Sequence, residues 1–422
     1  MEPLKREKIG DGAHFNSVSV SRFKTMKITV SAYVPASKDT ASEYALLSDI
    51  LTRSTKDYPT LSLLEKKLLS LYGAELSSEV KIFGDMQVIS LTASGLDERY
   101  AFDNTAIASE LSAILCGALF EPNVNNGAFD SEELNQSKRQ IYDSIDAEFS
   151  DKRTYSVSKC VEIMCSDSPA GVNRLGDKES IKKVTEKSLY SAWCRLLKTA
   201  RFEIMYVADT DSENAKKIFF EHFNSVERKP AELKTRLFTA EGNIKEVTEE
   251  MELAQSKLVM GFETGLNSEY ENYPQMMLLS AVLGGTPSSK LFMNVREKQS
   301  LCYYCISRYN RIKGYMIIES GVETANLEKA RCSILEQLQQ LKDGNITDFE
   351  ISAAKLAMTN SFRSVGDTVS GIESWYLSRI TEDKISTPEE TAKQINAVTK
   401  EQLVSLAQRI KLDTVYTLKS KE

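Results

Sequence analysis

The most regular apolar pattern in the chain covers residues 25–34, where every second side chain from Met26 to Val34 is apolar. A period of two is typical of a strand with one buried face. Further strands are predicted at 85–93, 256–262 and 314–320, and helical spacing of apolar residues predicts long helices over 131–149, 327–341 and 347–362. Strands that cluster apart from long helices favour α+β domains with antiparallel sheets.

The sequence also contains an internal duplication. Residues Ala45–Leu51 resemble Met277–Leu283, and Leu64–Lys66 resemble Arg296–Lys298, at one common offset (277 − 45 = 296 − 64 = 232). Each copy follows one predicted strand and precedes another, with a turn-forming glycine before the second strand. Two domains of similar fold are therefore predicted.

A chain of 422 residues is long enough for two cores of ordinary size. The segment 225–242 is charged, contains Pro230 and has no sustained apolar period, which is typical of a linker. The predicted domains are residues 1–224 and residues 243–422, joined by this linker.

Composition narrows the possible partners and compartments. The chain has 53 basic and 60 acidic residues and a net charge of -7, which disfavours binding to nucleic acid or to anionic membranes. No apolar run resembles a signal peptide or a membrane span. Seven cysteines without framework spacing are typical of reduced thiols. We therefore expect a cytoplasmic protein.

Residues Val282–Tyr303 carry the most specific motif. A predicted helix ends in Leu-Gly-Gly at Gly284, Pro287 breaks the chain, Ser288 or Ser289 can cap a second helix, and Arg-Glu-Lys leads into a strand. This order of features resembles the C-terminal-domain signature of the pitrilysin/insulinase metallopeptidases. The resemblance implies two similar α+β domains that face each other across a peptide chamber.

Active members of that family carry His-x-x-Glu-His on a helix of the first half, where two histidines bind zinc and the glutamate activates water. In this sequence the motif positions fall on Ala45, Ser48 and Asp49. The chain has two histidines, His14 and His222, and they lie too far apart in sequence to replace the motif. We therefore predict a chain without zinc of its own and without any other cofactor.

The family's third zinc ligand is a downstream glutamate, expected in the helix 138–145, where the nearest carboxylate is Asp143. Asp49 and Asp143 together could hold a hard cation weakly through oxygen. Two isolated carboxylates are more simply explained as a solvated surface.

A second feature of the family is retained. Members that bind substrate through the C-terminal domain use an arginine and a tyrosine seven positions later, and Arg296 and Tyr303 have this spacing. Guanidinium and phenol groups can donate hydrogen bonds to a peptide carbonyl oxygen or to the oxyanion formed from it. The resemblance therefore implies that Arg296 and Tyr303 bind substrate.

These features lead to one main hypothesis and two alternatives. The chain is predicted to be the zinc-less subunit of a two-chain peptidase, paired with a zinc-motif-bearing relative or with a second copy of itself, and acting on a peptide or small protein. The first alternative is a noncatalytic peptide-binding or scaffold protein, in which Tyr303 would be buried with its hydroxyl bonded internally. The second is a hydrolase with a Cys or Ser nucleophile, which would lack a suitably placed base.

Two further motifs are explained by local structure. Cys302 and Cys305 have the spacing of a redox or zinc motif, but they lie on a predicted strand, where residues three apart are expected to point to opposite faces. Residues 284–290 resemble a phosphate-binding loop but lack its second glycine. A turn between helices is the simpler prediction.

Overall fold

The computed structural model describes residues 3–421 and divides them into two compact units. The first consists of the described residues up to Asp146, of Val172–Lys234 and of Val365–Thr381. The second consists of Ala147–Gly171, Thr235–Ser364 and the chain from Glu382 onward. The predicted domains were contiguous, whereas each observed unit also includes a segment from the other side of the predicted linker.

Strands and helices occur along the whole of this range, and most strands follow one another in groups of two or three. The strands, in chain order, are β1 (Lys5–Gly10), β2 (Ala13–Ser19), β3 (Thr25–Pro35), β4 (Glu75–Phe83), β5 (Met86–Leu96), β6 (Val124–Asn125), β7 (Ala128–Phe129), β8 (Arg201–Ala208), β9 (Lys245–Met251), β10 (Ser256–Glu263), β11 (Cys302–Asn310), β12 (Tyr315–Val322) and β13 (Lys411–Ser420). The α-helices are α1 (Ala41–Ile50), α2 (Leu61–Ser70), α3 (Ile107–Phe120), α4 (Ser131–Ser150), α5 (Lys152–Met164), α6 (Lys178–Lys183), α7 (Glu186–Thr199), α8 (Glu213–Asn224), α9 (Tyr273–Ser280), α10 (Leu327–Lys342), α11 (Asp348–Ser364), α12 (Val369–Leu377), α13 (Pro388–Ala397) and α14 (Lys400–Ala407). Two π-helical segments cover Ala281–Gly285 and Leu291–Lys298.

The first unit is built on a six-stranded sheet with the order β1-β2-β8-β3-β5-β4. The central strand, β3, is the one that the sequence pattern predicted, and its apolar side chains such as Ile28 are fully buried. The other face of β3 is polar. There, the Thr29 and Thr92 hydroxyls are 2.8 Å apart, as are the Ser31 and Ser90 hydroxyls. Hydroxyl pairs of this kind satisfy each other across neighbouring strands.

The second unit contains a five-stranded sheet whose order, read from its β9 edge, is β9-β13-β10-β12-β11. This matches β2-β8-β3-β5-β4 of the first sheet strand for strand. The offset also recurs, since β2 and β9 begin at Ala13 and Lys245 (245 − 13 = 232) and α1 and α9 begin at Ala41 and Tyr273 (273 − 41 = 232). The predicted duplication is confirmed as two α+β units of one topology.

The sheets differ from the prediction in one respect. Each contains a parallel pair, β2 with β8 and β9 with β13, while the remaining pairs are antiparallel. The two strands of each parallel pair lie far apart in sequence. The chain can therefore return through helices before the second strand is added, as a parallel connection requires.

In each unit a helix packs on the sheet and forms an ion pair with it. In the first unit, Glu373 of α12 is almost fully buried, accepts a hydrogen bond from Thr29 and lies 2.5 Å from Lys27 Nζ. In the second unit, Arg153 of α5 donates two hydrogen bonds, of 2.8 and 3.0 Å, to the buried Glu319 carboxylate. Both helices come from the segments that make the units discontinuous in sequence.

The predicted linker, residues 225–242, contains no helix or strand, because α8 ends at Asn224 and β9 begins at Lys245. Its first part is held to the first unit by Arg228, whose guanidinium lies against the Phe202 and Phe223 rings and donates to backbone carbonyls, including Leu197 O at 2.8 Å. Burial lowers the pKa of Arg228 to about 10.

Among residues 3–421, no helix is both long and apolar enough to span a membrane.

Candidate functional site

The predicted positions of the zinc motif lie on α1 and are packed into the first unit. Ala45 is fully buried, and the buried Ser48 hydroxyl donates a 2.8 Å hydrogen bond to the Ala45 carbonyl oxygen. Asp49 Oδ2 accepts a 2.6 Å hydrogen bond from Arg53 Nε, one helical turn away. The polar side chains at these positions therefore have local hydrogen-bond partners, the Ala45 carbonyl oxygen for Ser48 and the Arg53 guanidinium for Asp49.

Arg53 links α1 to α4, the helix in which the family's third metal ligand is expected. Its Nε lies 3.1 Å from Ser137 Oγ, and its Nη1 donates at 3.2 Å to Gln136 Oε1. A guanidinium thus occupies the space between Asp49 and α4 and supplies the positive charge there. The sequence contains a signal for this arrangement that the prediction missed, because Asp49 in the last turn of α1 lies four residues before Arg53, a spacing at which opposite charges commonly pair.

The remaining candidate metal ligands are spread over separate elements. The Asp143 side chain is exposed on α4, whereas Asp49 is bonded to Arg53. His14 lies on β2 and His222 on α8. Within residues 3–421, no three or more His, Cys, Asp or Glu side chains are grouped so as to hold a metal ion. Zinc ligation requires three or four such ligands, so these residues do not fit the family's metal.

Arg296 lies on the π-helical segment Leu291–Lys298 of the second unit. Its side chain is 39% exposed, its guanidinium stacks 4.5 Å from the centre of the Phe292 ring, and its nearest carboxylate is that of Glu297 at 3.6 Å. A distance of 3.6 Å is too long for a strong hydrogen bond. Several of its N–H groups therefore remain available to a ligand.

Tyr303 lies on β11, the edge strand of the second sheet. Cys302 is opposite Val322 and Tyr304 is opposite Gly321, so that Tyr303 is the extra residue of a β-bulge. Bulges change the direction of a side chain, and Tyr303 is 55% exposed. Its hydroxyl donates a 3.3 Å hydrogen bond to Glu323 Oε1.

Three backbone irregularities occur within this short segment. Arg296 lies on a π-helical segment, Ser300 has a left-handed φ of 52°, and Tyr303 forms the bulge. Each of these conformations is uncommon for a non-glycine residue or a regular element, and such features concentrate at binding and catalytic sites. They make this the best candidate for a functional site in the second unit.

Gly284 of the signature plays a different role from the predicted one. We expected it to end a helix, but it lies inside the π-helical segment Ala281–Gly285 and its φ is not left-handed. A Cβ at this position would lie 2.7 Å from the backbone nitrogen of Ser307. The glycine is therefore needed for close approach to β11, the strand that carries Tyr303.

Replacing Gly284 by alanine is expected to lower the free energy of unfolding by about 1–3 kcal/mol, because β11 must move to admit the methyl group. Urea unfolding followed by circular dichroism measures the change. Gly285→Ala is a matched control, since its nearest neighbour would be at 3.5 Å. Equal stability of the two variants would contradict this role for Gly284.

The predicted orientation of Cys302 and Cys305 is wrong. Their partners on β12 are Val322 and Ser320, which are two residues apart and therefore on one face of the sheet. The extra residue Tyr303 shifts the alternation by one, so both cysteines point to this same face and both are buried. A strand pattern read from sequence does not reveal such a bulge.

Two units of one topology, in which the helix at the zinc-motif position carries neither of the motif's histidines nor its glutamate, define a peptidase-like fold without the zinc motif. "Probable inactive metalloprotease YmfF" of Bacillus subtilis (strain 168) is 30% identical over 420 residues, which cover 99% of this chain and 98% of that protein. At this identity and coverage, the chain belongs to the pitrilysin/insulinase family of peptidases, M16, and it is a homologue without the family's zinc ligands.

Other comparisons agree with this assignment. The family described as "Peptidase M16 inactive domain" matches residues 183–358. "Uncharacterized zinc protease YmxG" of Bacillus subtilis (strain 168) is 27% identical over 289 residues, covering 68% of this chain and 69% of that one. A conserved protein from Enterococcus faecalis V583 has the same fold, with a TM-score of 0.91 and 24% identity over 99% of both chains.

Proposed function

We propose that this chain is the zinc-less subunit of a two-chain M16 metallopeptidase. A zinc-motif-bearing relative would supply the metal and its catalytic glutamate. This chain would supply Arg296 and Tyr303 as hydrogen-bond donors to the carbonyl oxygen of a bound peptide or small protein. A second copy of this chain cannot replace that relative, because it too lacks the ligands.

The observation that carries the proposal is the accessibility of the Arg296/Tyr303 pair. Tyr303 is exposed on a bulge, and Arg296 has no close carboxylate partner among the described residues. The Arg296 guanidinium has only a 3.6 Å contact with Glu297, and the Tyr303 hydroxyl has only a 3.3 Å hydrogen bond with Glu323. Donors held this weakly can be redirected to the oxygen on which negative charge develops. β11 is moreover an edge strand, and extended peptides commonly bind along such edges.

The state of α1 also supports an auxiliary rather than a catalytic role. Asp49 pairs with Arg53, and Ala45 and Ser48 are buried. A fixed positive charge at this position disfavours a second cation nearby.

The described cysteines are all free thiols, which supports a reducing compartment such as the cytoplasm as the place of action.

One observation favours the scaffold alternative, in which the fold holds a peptide or an assembly without hydrolysis. The Tyr303 hydroxyl is bonded within the chain to Glu323, as that alternative requires. The bond is long, at 3.3 Å, and joins exposed groups. Solvent weakens such contacts, so a ligand could displace it at small cost.

The test is to purify the chain alone, the zinc-bearing relative from the same cell alone, and the two together, and to measure zinc content and cleavage of a peptide library. We expect no cleavage and no stoichiometric zinc in this chain alone, and cleavage by the mixture well above that of the relative alone. Equal activity of the relative with and without this chain would refute the subunit proposal and favour the scaffold.

A further inference from the structure

We propose that Cys302 and Cys305 form a paired-thiol modification site, which a hydroperoxide oxidises to an intramolecular disulfide. The site lies on the face of β11 opposite to Tyr304. Arg296 contributes to both sites, but the thiol chemistry does not require that the chain bind a peptide or assist its hydrolysis.

The first argument is the register of β11. The bulge at Tyr303 places both cysteines on one face, opposite Val322 and Ser320 of β12. The two residues are therefore adjacent positions on that face, with their side chains projecting the same way. On a regular strand the same spacing would direct them apart, so the bulge is what creates the pair.

The second argument is the chemical environment of the two sulfurs. The pKa of Cys302 is lowered to about 7. Its thiolate is stabilised by the Cys305 thiol, the Ser320 hydroxyl and the Arg296 guanidinium, which together outweigh the opposing effect of burial. The pKa of Cys305 is raised, mainly by its interaction with Cys302 and by burial. Cys302 is thus the nucleophile and Cys305 the thiol that resolves the first product.

The reaction balances with a hydroperoxide as the oxidant. The Cys302 thiolate attacks one peroxide oxygen, the O–O bond breaks, and hydroxide leaves and takes up a proton, which gives a sulfenic acid on Cys302. The Cys305 sulfur then attacks the Cys302 sulfur, the S–S bond forms, the S–O bond breaks, and water leaves with the Cys305 proton. Two thiols are oxidised while one hydrogen peroxide is reduced to two waters.

The remaining cysteines provide internal controls. Cys194 and Cys332 are exposed, whereas Cys116, Cys160 and Cys165 are buried. Burial raises the pKa of Cys116 and of Cys160, so these two thiols stay protonated and react slowly with peroxide. Exposure alone would favour oxidation of Cys194 and Cys332, which makes the two explanations separable in one experiment.

The experiment treats the full chain with dilute hydrogen peroxide, alkylates the remaining thiols and analyses the tryptic digest by mass spectrometry. Cleavage after Lys298 and Arg308 releases residues 299–308, which contain Cys302 and Cys305 and no other cysteine. We expect this peptide to escape alkylation and to lose the mass of two hydrogen atoms, and a reductant to reverse both changes.

The dependence on pH is a second measurement. The oxidation rate should rise with the thiolate fraction and level off above a midpoint near pH 7, whereas a free model thiol rises towards about pH 8.5. In Cys305→Ser the Cys302 sulfenic acid should persist and be trapped by a 1,3-diketone. In Cys302→Ser the peptide should remain reduced.

Three results would overturn the proposal. The first is that residues 299–308 stay reduced after Cys194 and Cys332 have been oxidised. The second is oxidation of this peptide only after denaturant has been added. The third is a stable sulfenic acid on Cys302 in the wild-type chain without a disulfide to Cys305.

Discussion

Replacing Arg296 by alanine is expected to lower kcat of the mixed complex with the zinc-bearing relative about 100-fold, with a smaller change in KM. The guanidinium would act on the charge that develops on the peptide oxygen, and the loss of one such donor commonly costs a factor of about 100–1,000. Tyr303→Phe removes a hydroxyl from the same site and should act in the same direction. Peptide cleavage by the purified complex at saturating substrate measures both effects.

Matched controls exist in the same unit. Lys298→Ala removes a positive charge from the exposed end of the same π-helical segment, and Tyr270→Phe removes the hydroxyl of another tyrosine that is 46% exposed. Neither change is expected to alter kcat more than about twofold, since solvent and salt screen the exposed Lys298 charge and Tyr270 lies outside the segment that carries Arg296 and Tyr303. If Arg296→Ala behaves like Lys298→Ala in a correctly assembled complex, Arg296 has no part in the reaction.

Most of the fold could be predicted from local patterns. The predicted strand 25–34 is β3, Thr25–Pro35, and the predicted helix 131–149 is α4, Ser131–Ser150. Both succeed because burial of one face imposes a period of 2 or 3.6 on the sequence. The constant offset of 232 was informative for the same reason, since the copies of a duplicated unit keep equivalent core positions.

The association of helices with the sheets could not be predicted in this way. α5 and α12 belong to units whose remaining segments lie far away in the sequence. Their amphipathic patterns show that they cover an apolar surface, but they do not specify which sheet provides it. The ion pair between Arg153 and Glu319 links residues 166 positions apart, beyond the reach of any local signal.

The candidate site was partly predictable for a related reason. The loss of zinc ligands follows directly from the identities of Ala45, Ser48 and Asp49. The bulge at Tyr303 is a single extra residue in one strand, and it becomes visible only when the partner strand is known. For this reason the exposure of Tyr303 and the pairing of Cys302 with Cys305 both required the structure.

The largest effect on stability is expected at Arg311, in the turn between β11 and β12. Its guanidinium forms an ion pair with Glu382, and both side chains are largely buried, at 12% and 5% exposure. Arg311→Ala would leave the Glu382 carboxylate buried without this partner, which is expected to lower the free energy of unfolding by about 3–5 kcal/mol. Urea unfolding should be followed by circular dichroism, because Trp193 and Trp375 both lie in the first unit.

Two further variants separate the loss of the ion pair from a general effect of removing an arginine. Arg308→Ala removes a guanidinium from the same hairpin, but the Arg308 side chain is 66% exposed and Glu319 keeps its contact with Arg153. The free energy of unfolding is therefore expected to fall by at most about 1 kcal/mol. The second variant combines Arg311→Met with Glu382→Leu, so that neither charge of the ion pair remains. Most of the lost stability should return, because apolar side chains of similar size can replace a buried ion pair. If the double variant is as unstable as Arg311→Ala, the cost arises from packing in the turn, and the unpaired carboxylate is not its cause.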